Sequence, residues 1–194
     1  MTILQGLKKI DAAGLPHPEW QFVRSSKELR GIQNIDAYRG WTIRTVEVRG
    51  GPWKNLYANW VAPSKVAATV DRLQREHPHR ALFVVYPSWK WKKGGTILLE
   101  RDRVVIEATR GPIVNLMRYG KVTASYTYQK GKLTQSIGLK KFLSPAEKQR
   151  ILLACRMPKK GLILEWGIST QGKFIFYRVE DIREAARLLL AKYG

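Results

Sequence analysis

Acidic residues are scarce in this sequence. It has 15 Asp and Glu residues against 35 Lys and Arg residues, a net charge of +20 over 194 residues. A compact domain with this charge repels itself unless an anionic partner neutralises it. The expected partners are therefore nucleic acid, nucleotide phosphates or an anionic membrane surface. The cations are spread along the chain, which predicts folded basic faces rather than a basic tail.

Cysteine and histidine are also scarce. The single cysteine, Cys155, excludes a disulfide within the chain. It ends an apolar run that is typical of a helix, so we expect a buried, structural thiol. The three histidines, His17, His77 and His79, lie in proline-rich segments that predict turns. This placement argues against a histidine-based metal site.

Long apolar segments and the common glycine-rich motifs are missing as well. No apolar run reaches the roughly 18–20 residues that span a bilayer, and the first residues do not resemble a signal peptide. No strongly amphipathic basic helix suggests a membrane partner, so we expect a cytoplasmic protein. The nucleophile elbow, Walker A and dinucleotide motifs are not found, and Gly50-Gly51 and Gly94-Gly95 predict turns.

The hydrophobic content of 44%, with 7 Trp and 8 Tyr, predicts a folded core. Periodicity predicts helices at 3–13, 26–39, 64–77, 112–119, 145–156 and 181–193. It predicts strands at 20–23, 41–48, 81–86, 96–99, 104–108, 122–128, 132–137, 162–166 and 173–179. The pattern leaves residues 53–62 ambiguous and makes residues 89–95 a loop or a strand edge.

The order of these elements lacks the regular strand–helix–strand rhythm of a doubly wound sheet, and several hairpins are local. It therefore predicts an α+β fold with antiparallel or mixed sheets. The length fits a single domain, 1–194, with lobes at about 1–80 and 81–194. The sequence does not determine the oligomeric state.

The segment from Trp89 to Lys93 alternates tryptophan and lysine. In a strand, Trp89, Trp91 and Lys93 would face one side, where the rings could stack on bases while lysines meet phosphates. In the alternative interpretation, the two rings cover the edge of the core and the lysines remain in water. The first interpretation predicts a nucleic-acid site made of Trp89, Lys90, Trp91, Lys92, Lys93, Arg101 and Arg103.

Two carboxylates lie within apolar strands. Glu107 stands in Val104–Ala108, and Glu165 stands between Leu164 and Trp166. A carboxylate in such a place needs a cation, a metal ion or hydrogen-bond donors. Either residue could pair with one of the many arginines, or the two together could hold Mg²⁺ on nucleotide phosphates.

Short segments along most of the chain follow an order found in a known family. They read Gly6-Leu7-Lys8-Lys9, Ala13-Gly14-Leu15-Pro16-His17-Pro18, Thr42-Ile43-Arg44-Thr45, Val105-Ile106-Glu107-Ala108, Gly120-Lys121-Val122-Thr123, Leu164-Glu165-Trp166 and Gly172-Lys173. This order resembles the ATP-grasp nucleotide-binding domain at the start of phosphoenolpyruvate synthase and pyruvate phosphate dikinase.

The resemblance implies an ATP-grasp-like fold of two lobes with a nucleotide site. Lys8 (or Lys9) and Arg44 would take the places that contact phosphates, and Glu107 and Glu165 the acidic places, with Mg²⁺ on Glu165. ATP and Mg²⁺ are the cofactors that it implies. One departure concerns the metal, because Arg178 stands where a metal ligand is expected and a cation there opposes Mg²⁺ binding.

One ATP and one Mg²⁺ do not require a net charge of +20. The sequence therefore favours a basic nucleic-acid-binding protein, associated with RNA, DNA or a ribonucleoprotein, on an ATP-grasp-like scaffold. The alternative is an ATP- and Mg²⁺-dependent ligase or phosphotransferase of the ATP-grasp type. Whether the chain is an enzyme depends on which of the two is right.

Overall fold

The computed structural model describes residues 3–30, 40–46, 56–76, 82–158 and 161–183. The predicted features at Gly50-Gly51, His77 and His79, and parts of the helices predicted at 26–39 and 181–193, lie outside them. The chain divides into two compact units. The smaller contains Thr2–Leu4 and Pro18–Trp89, and the larger contains Met1, Gln5–His17 and Lys90–Gly194.

The smaller unit is built on a four-stranded sheet with the order β1-β4-β2-β3. Its strands are β1 (Gln21–Val23), β2 (Trp41–Thr45), β3 (Tyr57–Val61) and β4 (Phe83–Pro87), and its helix is α2 (Val66–Glu76). Val66, Val70 and Leu73 recur at helical spacing on one side of α2, where they join a buried cluster with Ile43 and Phe83 of the sheet. This cluster is the core of the smaller unit.

The helix predicted from residue 26 is wrong in the part that the structure describes. Only Ser26–Glu28 form a short 3-10 turn, and Leu29 is already extended. The side chain of Gln21 explains this: its amide donates to the carbonyl of Arg30, and its carbonyl accepts from the Arg30 amide at 2.9 Å. Because Gln21 satisfies both backbone groups of Arg30, neither bonds within a helix.

The larger unit is built on a six-stranded sheet with the order β10-β9-β5-β6-β7-β8. The strands are β5 (Trp91–Leu99), β6 (Arg103–Arg110), β7 (Ala124–Gln129), β8 (Lys132–Gly138), β9 (Leu162–Ser169) and β10 (Phe174–Asp181). The helices are α1 (Ile3–Ala12), α3 (Val114–Tyr119) and α4 (Pro145–Leu152), and α4 continues into a 3-10 helix at Leu153–Arg156. All described strand pairs in both sheets are antiparallel, which confirms the predicted α+β class.

The predicted hairpins and the start of α4 are confirmed. Lys130 and Gly131 both have positive φ, 48° and 78°, which suits the tight turn between β7 and β8. At the start of α4, Ser144 accepts a hydrogen bond from the Glu147 amide, and the Glu147 carboxylate accepts one from the Ser144 amide. This reciprocal cap fixes the first turn of the helix.

The turn predicted at Gly94-Gly95 is wrong, because both residues lie inside β5. A Cβ on Gly95 would lie 2.0 Å from the backbone oxygen of Glu107 and 2.5 Å from the Trp166 ring. A Cβ on Gly167 would lie 2.5 Å from the Trp91 ring. These glycines therefore allow tryptophan rings to lie flat on neighbouring strands.

The two faces of the six-stranded sheet differ. Side chains alternate along each strand, so Leu164 and Val179 lie on one face, while Glu165 and Arg178 lie on the other. We call the first the packed face. Helix α4 lies on it, with Lys148 Nζ 4.1 Å from the centre of the Tyr126 ring. Helix α1 also lies on it, where a Cβ on Gly6 would touch Val179.

The opposite face carries polar side chains along the middle of the sheet, and we call it the polar face.

The described helices contain no candidate membrane span. Among the described residues, no helix is both long enough and apolar enough to cross a bilayer.

Candidate functional site

A row of polar residues crosses the polar face from strand to strand. In register order it runs through Arg178 on β10, Glu165 on β9, Thr96 on β5, Glu107 on β6 and Ser125 on β7. We call these five residues the polar row. Neighbouring strands lie about 4.8 Å apart, so about 10 Å separates the backbones of Glu165 and Glu107, with Thr96 between them. The structure thus brings the two predicted carboxylates into one surface.

Arg178 neutralises Glu165 within this row. Arg178 Nη1 lies 3.5 Å from Glu165 Oε1, and Arg178 Nη2 donates a hydrogen bond to Glu180 Oε1. Burial alone would lower the pKa of Arg178, but the negative charges of Glu165 and Glu180 outweigh it and raise that pKa. Of the two interpretations of Glu165, the structure shows the pairing with an arginine. The pair explains how a carboxylate that is only 9% exposed remains in an apolar strand.

The backbone of β10 contributes to this placement. Its register against β9 shifts between Phe176 and Arg178, so Tyr177 is an additional residue in the strand. Such a bulge redirects the side chains that follow it. Phe176 pairs with Trp166, and because Tyr177 is the additional residue, Arg178 pairs with Glu165.

The surroundings of Glu165 do not fit a magnesium ion held by protein side chains. Mg²⁺ requires oxygen ligands in an octahedral arrangement, whereas Glu165 faces the guanidinium of Arg178 at 3.5 Å. Within the described ranges, no group of three or more His, Cys, Asp or Glu residues could hold a metal ion.

The other predicted nucleotide contacts lie in different parts of the fold. Arg44 is half-buried on β2 of the smaller unit, in register with Val84 and Tyr57. Lys8 is exposed on α1, whose Gly6 packs against the packed face. Lys8 and Glu165 therefore belong to opposite sides of the six-stranded sheet.

The structure of the segment from Trp89 to Lys93 differs from the base-stacking surface predicted from the sequence. Trp89 is 6% exposed and is therefore not available for a base. Trp91 covers Gly167 and lies against Tyr177, with 5.6 Å between the ring centres. The alternative interpretation, in which both rings cover the core edge, describes them better.

Lys93 does not face the same side as Trp91. The register of β5 against β9 shifts between these two residues, which interrupts the alternation that the prediction assumed. Lys93 Nζ donates to both Glu147 carboxylate oxygens at 2.8 Å and to the Phe142 carbonyl at 2.7 Å. Its charge is thus used within the fold, on the packed face.

The remaining members of the predicted nucleic-acid set are exposed. They are Lys90, Lys92, Arg101 and Arg103. Arg103 Nε donates to Glu100 Oε2 at 2.5 Å, and this hydrogen bond raises the pKa of Arg103 and lowers that of Glu100. Arg101 and Arg103 also line a cavity of about 380 Å³, together with Tyr128, Lys130 and Cys155.

Cys155 is exposed, so the prediction of a buried thiol is wrong. The α-helix ends at Leu152, and the 3-10 turn that follows buries Ala154 instead. A 3-10 turn has three residues per turn rather than 3.6, so the helical spacing used for the prediction does not apply there.

Sequence reasoning did not identify Thr96 and Ser125 as members of the polar row. Their signal is weak, because a hydroxyl residue in a strand is common on any half-buried face. In the sequence, Arg178 stands out only because it occupies a place where the resembled family has a metal ligand. Register, which the structure provides, joins all five residues.

No protein-family model and no curated sequence matches this chain significantly. Solved structures do resemble it. An N5-carboxyaminoimidazole ribonucleotide synthetase in its ADP complex has a TM-score of 0.52 and 13% identity, over 90% of this chain and 43% of that one. The corresponding synthetase of Staphylococcus aureus with ADP has a TM-score of 0.52 and 11% identity, over 92% and 44%.

A third similar structure is the D-alanine-D-alanine ligase of Coxiella burnetii. Its TM-score is 0.51 at 11% identity, over 91% of this chain and 46% of the ligase. The present chain thus spans less than half the length of each of these structures. Identities this low establish a common fold and nothing finer. The protein has an ATP-grasp-like fold.

Proposed function

We propose that this protein binds an adenine nucleotide through its phosphate groups, and that the polar row forms part of the binding surface. The Glu165–Arg178 ion pair carries the proposal. A partly buried ion pair contributes little net stability, so its presence is better explained by a function. The nucleotide complexes among the similar structures support the same ligand class.

Arg178 would be the main phosphate contact of the larger unit. Its side chain is 34% exposed, so part of the guanidinium remains accessible beside Glu165. A guanidinium matches the geometry of phosphate oxygens through paired hydrogen bonds. Glu107, a member of the polar row, remains a proposed nucleotide contact. Lys8, on the other side of the six-stranded sheet, and Arg44, on the smaller unit, stay predictions from the sequence and are not part of this proposed surface.

The finer likeness to the nucleotide-binding domain of phosphoenolpyruvate synthase is part of this proposal. So is activity as an ATP-dependent ligase or phosphotransferase, since the chain spans less than half of the similar ligases. Glu165 is not a metal ligand in this proposal, and any Mg²⁺ would arrive with the nucleotide. The predicted cytoplasmic location also remains a proposal.

Calorimetric titration with ATP tests the binding, with Mg²⁺ or with EDTA. We expect saturable binding under both conditions, because the N–H groups of the Arg178 guanidinium can donate to phosphate oxygens without a metal. The double variant Glu165→Gln, Arg178→Gln removes both charges together. Its affinity for ATP should fall about tenfold or more, since a hydrogen bond to a charged group contributes about 1.5–3 kcal/mol.

Arg150→Gln is the matched control, because Arg150 is an exposed arginine on α4. It should leave the affinity unchanged. Absence of ATP binding, or an equal loss in the Arg150 variant, would contradict the proposal. ADP formation in the presence of candidate carboxylic acids then tests ligase or phosphotransferase activity separately.

Nucleic-acid binding is a second proposal, supported by the net charge of +20 and by the exposure of Lys90, Lys92 and Arg101. Trp89 and Trp91 do not support it, because their rings pack within the fold. Fluorescence anisotropy with single-stranded RNA and duplex DNA tests it across a salt series. Binding that weakens steeply with salt, and that weakens further in Lys90→Gln with Lys92→Gln, would support it. Equal binding by this variant would contradict the assignment of these lysines.

A further inference from the structure

The segment between Glu107 and Glu147 contains no carboxylate side chain. It lies wholly within the described part of the chain and forms α3, β7 and β8. It carries seven cationic residues, and each of them is exposed: Arg110, Arg118, Lys121, Lys130, Lys132, Lys140 and Lys141. The segment is therefore a positively charged surface with no acidic residue of its own to offset it.

The same segment holds most of the exposed apolar side chains. Of the eight large hydrophobic residues that are exposed in the described ranges, six lie here: Met117, Tyr119, Val122, Leu133, Ile137 and Leu139. A backbone contact brings two of them near each other. The Leu139 amide donates to the Thr123 carbonyl at 3.0 Å, which places Leu139 beside the residue that follows Val122.

Strand β8 is the last strand of the sheet, with β7 on one side. In the described residues no strand pairs with its other side. The opposite end of the sheet differs, because the Phe176 amide of β10 donates to the Pro16 carbonyl at 2.7 Å. An open strand edge presents backbone donors and acceptors that can pair with another chain. We call β8, residues 117–122 and residues 139–141 the basic edge.

Lysines on an edge strand commonly prevent unwanted pairing. That explanation alone does not fit β8, because Leu133 is 48% exposed and Ile137 is 58% exposed on the same strand. Register places them on opposite faces: Ile137 is paired with Ser125 of the polar row, whereas Leu133 is paired with Tyr128 after a register shift. Aliphatic residues on both faces favour an incoming strand, and lysines restrict it to an acidic one.

We propose that the basic edge binds an acidic, extended polypeptide, which adds to the sheet as a strand beside β8. Its backbone pairs with β8, its aliphatic residues pack on Leu133 and Ile137, and its carboxylates pair with Lys132 and Lys140. A second copy of the chain fits poorly, because two carboxylate-free basic edges would repel each other. Nucleic acid fits less well, because Tyr119 is the one aromatic residue among the six exposed apolar ones and aliphatic groups do not stack on bases.

Fluorescence anisotropy with a labelled peptide tests the proposal. The probe is a blocked peptide of about ten residues that repeats Val-Val-Glu-Glu, so that each face of the added strand presents both valine and glutamate, and its length matches one strand. At about 50 mM NaCl, where charge interactions are weakly screened, we expect saturable binding. Hydrogen exchange should show protection of residues 132–138 in the complex. The same peptide with a central proline should bind about tenfold more weakly, because it cannot pair as one continuous strand.

Charge reversal provides a second arm. Lys132→Glu with Lys140→Glu should weaken binding of the same peptide about tenfold. The matched control is Lys27→Glu with Lys65→Glu, two exposed lysines of the smaller unit, which should leave that affinity unchanged.

Three outcomes would overturn the proposal. The first is equal binding of the proline-containing peptide, which would show attraction by charge without strand pairing. The second is tighter binding of single-stranded RNA that the charge-reversed variant loses, which would assign the surface to nucleic acid. The third is a dimer in analytical ultracentrifugation with protection of residues 132–138 in the absence of peptide, which would assign the edge to a second copy.

Discussion

Strands β9 and β8 of the same six-stranded sheet differ strongly in burial. In β9, every residue except the half-buried Ile163 is buried, including the charged Glu165. In β8, no residue is buried and only Ser136 is half-buried. Charge follows the same division. Arg178 and Lys93 in the buried half lie against carboxylates, while the cations of the basic edge have no carboxylate in their own segment.

This difference shows that alternation within a strand does not by itself decide which face is covered. Strand β9 is covered, so an aromatic ring packs on its Gly167, and its buried charge needs a partner. In β8 neither condition applies, so Lys132, Leu133 and Ile137 all remain exposed to water. The buried half holds the candidate nucleotide surface, and the exposed half holds the proposed docking surface. Substitutions in the two halves should therefore differ in their cost.

Among the test substitutions, apart from their controls, Gly95→Ala should have the largest effect. The new Cβ would lie 2.0 Å from the Glu107 backbone oxygen and 2.5 Å from the Trp166 ring, and the backbone cannot move aside without breaking the sheet. We expect a loss of about 3 kcal/mol in the free energy of unfolding, at the upper end of the cost of overpacking. Urea denaturation measures it.

Gly131→Ala is the control in the exposed half. No atom lies within 4 Å of its Cβ position, but its φ is +78°. It should cost only the backbone term, about 1–2 kcal/mol. Equal losses for the two variants would show that crowding at Gly95 is not the cause.

Lys93→Met should have the second largest effect. The change removes the ammonium group from Glu147, whose side chain is 20% exposed, and from the Phe142 carbonyl. We expect a loss of about 2 kcal/mol, below the cost of breaking a fully buried pair. Lys92→Met, an exposed neighbour, should change stability by less than about 0.5 kcal/mol. A similar loss in both would contradict the structural role of Lys93.

The same ion pair predicts a pH dependence. Burial alone would raise the pKa of Glu147, but hydrogen bonds from Lys93 and Ser144 and the charge of Lys93 outweigh it and lower that pKa below its ordinary value of 4.5. A lowered pKa stabilises the folded state above the unfolded-state value, and this stabilisation is lost as the pH falls through the folded-state value. Denaturation curves below about pH 4.5 should therefore show a smaller acid-dependent loss in Lys93→Met than in the native protein. Parallel curves would remove this pair from the acid response.

Arg178→Met should cost less, about 1–2 kcal/mol, because the arginine side chain is 34% exposed and water screens its charge. Differential scanning calorimetry measures this change in the free energy of unfolding. Glu165→Gln in the same chain should restore part of the loss, since a buried Glu165 carboxylate without its cation is then no longer present. No restoration would show that packing of the arginine stem, rather than charge, is the cause.

Ile137→Ser should have the smallest effect on folding. The side chain is 58% exposed, so its removal should change stability by less than about 0.5 kcal/mol. Its counterpart in the buried half, Ile97→Ser, replaces a fully buried side chain and should cost about 3 kcal/mol or more. A large loss at Ile137 would mean that β8 contributes to the core, and would remove the contrast between the halves.

Local patterns predicted much of the fold. The cap of α4 at Ser144 and Glu147, the end of α3 at Gly120 and the hairpins around residues 100–103 and 130–131 all depend on neighbours in sequence. Local chemistry decides such features, so they can be predicted from sequence. The errors have non-local causes. Gly95 lies inside a strand because the Trp166 ring covers it, and Arg30 is non-helical because Gln21 binds it.

The candidate site divides in the same way. Sequence identified Glu107 and Glu165 because a carboxylate in an apolar strand requires an explanation. It could not identify Thr96 and Ser125, whose importance depends on register across four strands. The sequence also predicted Lys93 on the same face of the strand as Trp91. A shift of strand register cannot be recognised from the alternation of residue types.

The sequence by itself determined the charge of +20, the α+β class and the segment without carboxylates, because these depend on composition and on periodicity along the chain. Only the tertiary structure decided which charges have partners. Arg178 lies against Glu165 and Lys93 lies against Glu147, while the basic edge faces outward. The physical reason is that a charge in a buried strand must be neutralised by whatever the fold places opposite it, whereas a charge on an open edge is solvated by water.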